Sequence, residues 1–199
     1  MAKPLIPAED ILDRALELLD AEGPKALNVR RLSTELRISP NTLYQQVGNQ
    51  AALHRALVAR HFSQLSLRFT EYDNWEATAL HWCLALHQAL RTHPYLTELM
   101  TFDDRDAIRG YVDALLQSTL RTGFSRPLAT ECCRGLTNLT VNHSIVEARA
   151  LRQQASEGSS ETAAEITKSD KNFRRLVTWV IVAVRAEADS GKPQTRRTK

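Results

Sequence analysis

Two helix starts within one short stretch constrain this chain more than any other feature. Asn28 is a strong N-cap ahead of Val29-Arg30-Arg31-Leu32, since its side-chain oxygen can take an orphan N–H of the first turn. Ser39-Pro40 is a second start, with proline at the first helical position, where its missing N–H costs nothing. The pattern predicts a helix from Asn28 to about Leu36, buried through Val29, Leu32 and Leu36. After a tight turn comes a helix from Ser39, carrying Leu43, Tyr44 and Val47 and stopping at Gly48. Two short helices joined this way, the second polar outside, make a helix-turn-helix.

The rest of the chain reads as all-α, because apolar residues recur at three and four and glycine is scarce at seven residues. A first helix opens after Pro7, buries Ile11, Ala15, Leu18 and Leu19, and ends at Gly23-Pro24. A fourth runs from about Asn49 to about Phe69, and a fifth from near Asn74 to before Pro94. A short one covers Pro94 to Met100, and longer ones Asp103 to about Thr122 and Arg126 to about Arg152. The polar stretch Gln153–Ser169 reads as a loop, 170–189 as the last helix, and the tail after Gly191 as disordered. The β-prone run 177–184 would have no partner strand, and Phe173, Leu176, Val177, Val180, Ile181 and Val184 fit a helical stripe. The expected architecture is an N-terminal helix-turn-helix domain (1–48), a larger helical regulatory and dimerisation domain (49–189) that opens with a linker helix, and a basic tail (190–199).

The outward residues of the second short helix are Ser39, Asn41, Thr42, Gln45 and Gln46. Asn and Gln amides can read adenine bidentately, and a threonine methyl can meet a thymine methyl. Arg30, Arg31 and Arg37 lie beside this helix, where they could pair with phosphates and set orientation. Overall charge adds little. Of 26 lysines and arginines, four (Lys192, Arg196, Arg197 and Lys199) lie in the last ten residues, which hold no acid, leaving 22 basic against 23 acidic groups before them.

The segments Ile11-Leu12-Asp13-Arg14-Ala15-Leu16-Glu17-Leu18-Leu19, Glu22-Gly23, Leu27-Asn28-Val29-Arg30-Arg31-Leu32 and Leu36-Arg37-Ile38-Ser39-Pro40-Asn41-Thr42-Leu43-Tyr44 resemble the N-terminal domain of TetR-type repressors. The resemblance runs without a gap over about residues 8 to 60, and beyond it holds only in layout. It implies a homodimer that binds a palindromic operator and releases it when a small molecule enters the C-terminal domain. It also implies that Tyr44 contacts a phosphate while its ring packs in the small core. Ser39, Asn41, Thr42 and Gln45 would face base edges or phosphates, and Asn28 would cap at the DNA backbone. Three positions depart from the family: Arg37 replaces the usual turn glycine, Gln46-Val47 replaces His-Phe, and Gln50 replaces a phosphate-binding lysine.

One short reading helix touches only a few base pairs, so useful specificity needs two, spaced by a dimer. The last helix, apolar almost all round, suits burial against its own domain and a partner. Phe173, Leu176, Val177, Val180, Ile181 and Val184 are the interface candidates. The helix 126–152 carries Thr137, Asn138, Thr140, Asn142, His143 and Ser144 in its middle. These could pair with a ligand, with one another or across a dimer, since buried polar groups need partners. A pocket is expected among the helices 74–92, 103–122 and 126–152, walled by Trp82, Leu86, Met100, Phe102, Tyr111 and Leu115, with Asn138, Asn142 and His143 as polar groups. Such a mix suits a largely apolar effector.

No cofactor is expected. His143 and Glu147 are spaced for a metal but equally for a helical ion pair. Cys83, Cys132 and Cys133 read as reduced, buried thiols. Histidines 54, 61, 81, 87, 93 and 143 show no catalytic spacing, which speaks against an enzyme. No signal peptide or membrane span is evident, so a cytoplasmic location is expected. The competing readings are a DNA-binding regulator controlled by a protein partner, and a small helical enzyme.

Overall fold

The computed structural model describes residues 6–64, 67–100, 108–156 and 163–190. These form α1 (Ala8–Glu22), α2 (Val29–Glu35), α3 (Pro40–Val47), α4 (Gln50–Gln64), α5 (Trp75–Leu90), α6 (Pro94–Glu98), α7 (Arg109–Arg121), α8 (Arg126–Ser156) and α9 (Ala163–Ser190). The described residues contain no strand, and 177–184 is helix.

The first three helices are set by local chemistry. Glu9 and Asp10 oppose the dipole at the start of α1, and Gly23 leaves that helix at φ 79°. The Asn28 side chain accepts the Arg31 N–H at 2.9 Å and caps α2. Arg37 stands at φ 54°, a left-handed conformation that costs a side-chain-bearing residue about 1–2 kcal/mol. Two hydrogen bonds offset that cost: Arg37 N–H donates to the Thr34 carbonyl at 3.2 Å and Ile38 N–H to the Ser33 carbonyl at 3.0 Å. This is a Schellman end with arginine where glycine is usual. Ser39 then caps α3, its hydroxyl accepting the Thr42 N–H at 3.0 Å. Gly48, at φ 74°, ends it, and a Cβ there would lie 2.9 Å from the Ala52 methyl.

Several expected boundaries shift. Helix α4 stops at Gln64 rather than near Phe69, because Leu67 and Phe69 turn inward while Arg68 and Thr70 face water, an alternation that an extended chain satisfies and a helix does not. Helix α8 continues to Ser156, and α9 begins at Ala163, inside the stretch expected to be a loop. That stretch carries helix formers without an apolar stripe, so its helicity is invisible to periodicity. The expected start of α7 at Asp103 lies outside the described residues, as does the basic tail.

A continuous core joins both halves. Trp75 is buried, donates its indole N–H to Thr119 Oγ1 at 2.9 Å and packs on Phe124 at 4.6 Å. Trp82 stacks on Tyr111 at 4.9 Å and donates to the Tyr111 carbonyl at 2.9 Å. Arg185 reaches back from α9 to Glu76 at 2.6 Å. Helix α6 packs on α1 and α4 as well as on α8, which joins the C-terminal helices to the N-terminal ones.

Candidate nucleic-acid interface

Helix α3 turns Leu43 fully inward and leaves Asn41, Tyr44 and Gln45 exposed. The caps fix this rotation, since Ser39 also pairs with Thr42 Oγ1 at 2.8 Å. Tyr44 is 49% exposed. The expectation that its ring packs in the small core is therefore corrected: Leu43 fills that position, and Tyr44 lies about 100° further round the helix. Its phenol stands free at the surface beside Gln45. Gln46 is half-buried, and neither its amide N nor its amide O has a hydrogen-bond partner.

Arg30, Arg31 and Arg37 are all exposed. Arg31 bridges Glu22 at 2.5 Å and Glu35 at 3.0 Å, and Glu35 also holds Arg14 at 2.6 Å. This network straps α1 to α2, and the adjacent guanidinium groups keep the Glu35 carboxyl below the usual carboxylate range. A phosphate contact by Arg31 would have to compete with two carboxylates. Gln50 is likewise committed, donating to the Leu27 carbonyl at 2.6 Å and lying 3.0 Å from His54. It ties the start of α4 to the α1–α2 connection, a tertiary role that nothing in its local sequence signals.

The connection between the N-terminal helices and the C-terminal bundle runs through α6. His93, just ahead of α6, lies 2.7 Å from Asp20 of α1, and Tyr95 rests against Gly23 at 3.6 Å from where a Cβ would stand. His61 of α4 meets the His93 ring at 4.9 Å, and burial pushes its imidazole down to about 4.

The pocket residues fare unevenly. Trp82, Leu86, Tyr111 and Leu115 are core, their rings and methyls filling the space between α5, α7 and α8. Met100 is half-buried, Asn142 is exposed, and Phe102 lies outside the described residues. The polar middle of α8 is largely self-satisfied: Thr137, Thr140 and Ser144 donate to carbonyls one turn back at 2.7, 2.8 and 2.9 Å. A cleft of about 300 Å³ opens instead between α7 and α8, over Val112, Leu116, Cys133 and Thr137, with Asn138 at its edge. The thiols are buried, and burial pushes Cys83 and Cys132 up to about 12 and Cys133 to about 11.

Of the interface candidates, Phe173, Val177 and Ile181 are fully buried within their own protomer. Val180 and Val184 are half-exposed over a groove against α8. Leu176 is exposed, and so are Trp179, Val182 and Val146 of α8.

An all-helical chain with an N-terminal helix-turn-helix and a packed helical domain behind it defines the class, and comparison with known proteins refines it. The chain is 26% identical to the tetracycline repressor protein class E of Escherichia coli, over 79% of this chain and 83% of that one. A helix-turn-helix transcriptional regulator of Saccharopolyspora erythraea matches at 26% over 49% of this chain and 41% of its own. Among solved structures, ActR of Streptomyces coelicolor in complex with actinorhodin superposes with a TM-score of 0.73 at 20% identity, covering 96% of this chain and all of that one. TetR of Acinetobacter baumannii AYE in complex with minocycline gives 0.69 at 21%, covering 92% and 98%. No family model matches the chain. The chain has the TetR-type fold and resembles TetR-type regulators in sequence over most of its length.

Proposed function

We propose that this protein is a DNA-binding transcriptional regulator that grips a palindromic operator as a homodimer and releases it when a small molecule enters the regulatory bundle. The carrying observation is the exposed face of α3. Asn41, Tyr44 and Gln45 project from a helix rigidly capped at both ends, with Arg30 and Arg37 beside it. Such a face presents amides to base edges and cations to phosphates. Residues 1–48 form the reading domain on this view, and 49–189 the regulatory one.

The operator is read twice, once by each protomer. The faces of α8 and α9 that carry Val146, Leu176, Trp179 and Val180 supply the contact between copies, since this much exposed apolar surface favours burial. The effector is largely apolar with a few polar groups, matching the α7–α8 cleft over Val112 and Leu116 with Asn138 at its edge. Release requires the effector to favour one of two arrangements of the reading heads. The α6 contacts with α1 and α4 give such a shift a mechanical route.

Tyr44→Ala and Gln45→Ala test the reading face. Both variants are expected to fold with the wild-type melting temperature, because both side chains are exposed. Tyr44→Ala is expected to weaken binding equally across DNA sequences. Gln45→Ala is expected to relax one base preference per half-site by about 1–3 kcal/mol. Wild-type affinity and preference in both variants, measured by fluorescence anisotropy on an operator series, would remove α3 as the reader.

A further inference from the structure

Two histidines and a glutamate, distant in sequence, meet at a buried point between α5, α8 and α9. His87, His143 and Glu147 each offer one ligand atom, and these atoms lie within 4.8 Å of one another. His87 Nε2 stands 3.4 Å from Glu147 Oε2, with the two side chains only 4% and 8% exposed. His87 Nε2, His143 Nε2 and Glu147 Oε2 are all buried without a hydrogen-bond partner.

Ser144 Oγ lies 2.9 Å from the Thr140 carbonyl and 2.8 Å from His87 Nδ1. In the tautomer with the proton on Nδ1, His87 donates to Ser144 and turns a bare Nε2 lone pair toward the Glu147 carboxylate. A cation between those two acceptors would satisfy both.

Arg91 pairs with two carboxylates, Asp170 at 2.6 Å and Glu147 Oε2 at 3.5 Å, and Asp170 Oδ1 also stands 3.8 Å from His87 Nε2. Two carboxylates against one guanidinium leave one net negative charge beside the imidazoles. The Ser169 hydroxyl donates to the other Glu147 oxygen. Phe173 lies against both imidazoles, at 4.3 Å from His87 and 4.7 Å from His143, and sets their planes. Side-chain partners that orient a ligand's far atom are what metal ligands require. A cleft of about 520 Å³ lined by Tyr72, His81, His87 and Asp170, with Lys171 and Arg174 among its lining groups, gives access from solvent.

We propose that His87, His143 and Glu147 form a binding site for a divalent transition-metal ion of the zinc type, with water from the cleft as the fourth ligand. Imidazole nitrogen and carboxylate oxygen are the donors such an ion takes. Around a tetrahedral ion with bonds of about 2.0–2.2 Å, ligand atoms stand about 3.3–3.6 Å apart. The His87–Glu147 pair already has that spacing, and small side-chain rotations bring in His143. The proposal is independent of the operator and of the effector.

The probe is Co²⁺, titrated into the full-length, chelator-stripped protein and followed by visible absorption. One Co²⁺ per chain with the intense bands of four-coordination, displaced by Zn²⁺, is expected. His143→Gln and Glu147→Gln are each expected to weaken binding by more than the roughly 10-fold that loss of even an outer-shell partner costs, and His54→Ala to leave it unchanged. Glu147→Gln retains an acceptor for Ser169, so it decides the matter if His143→Gln fails to fold. A wild-type spectrum showing only weak six-coordinate bands overturns the proposal, as does wild-type affinity in Glu147→Gln.

Discussion

Val180→Asp is expected to convert the protein to a monomer in sedimentation and to weaken operator binding by about 10²–10⁴-fold, the advantage that linking two reading heads confers. Val180 is half-exposed beside Val184 over the α8–α9 groove and is flanked by exposed Leu176 and Trp179. A carboxylate there would lie in the apolar surface where the proposed partner packs, and leaving it unpaired is costly. The protomer itself should survive, because its own side of α9 is held by Phe173, Val177 and Ile181. A folded variant that stays dimeric would move the contact to another surface.

Trp75→Ala is expected to lower stability by about 3–5 kcal/mol, the usual cost of emptying a buried aromatic site. Trp75 ties α5 to α7, to the α7–α8 turn and to α9. Its indole bonds Thr119 of α7 at 2.9 Å, and its ring meets Phe124 ahead of α8 at 4.6 Å. The Arg185 guanidinium of α9 lies 5.2 Å from the ring. Removing the ring also orphans the Arg185 contact beside Glu76. A urea-unfolding loss below about 1 kcal/mol would mean the bundle closes over the gap, contrary to the packing described.

The reading domain was legible in the sequence because its signals are local. Asn28, Ser39-Pro40 and Gly48 set helix ends through bonds to residues three or four away, and the structure repeats them. The left-handed turn at Arg37 was legible only through the resemblance, which places a glycine there. Tyr44 was misplaced because its core position was carried over from the resemblance, whereas here Leu43 fills that position and Tyr44 is exposed. The helices beyond α4 were harder, because an aromatic at helical spacing looks the same on a core face as on a pocket wall. Trp82 and Tyr111 have the composition of a pocket wall but pack against each other. Between Phe173 and Val184 apolar residues fall on most sides of α9, so only the fold distinguishes Phe173, Val177 and Ile181, turned inward, from Leu176, Trp179 and Val182, turned outward. His87 carried no signal, since the chain brings it to His143 only when α5 packs on α8.

The central claim is that two copies of α3 read a symmetric site, and selection of bound DNA from random sequence by the full-length protein tests it most directly. The predicted result is a palindrome whose half-site centres stand about ten base pairs or more apart, with one base preference per half-site lost in Gln45→Ala. Recovery of a single unrepeated motif, or of no enriched sequence, would contradict it.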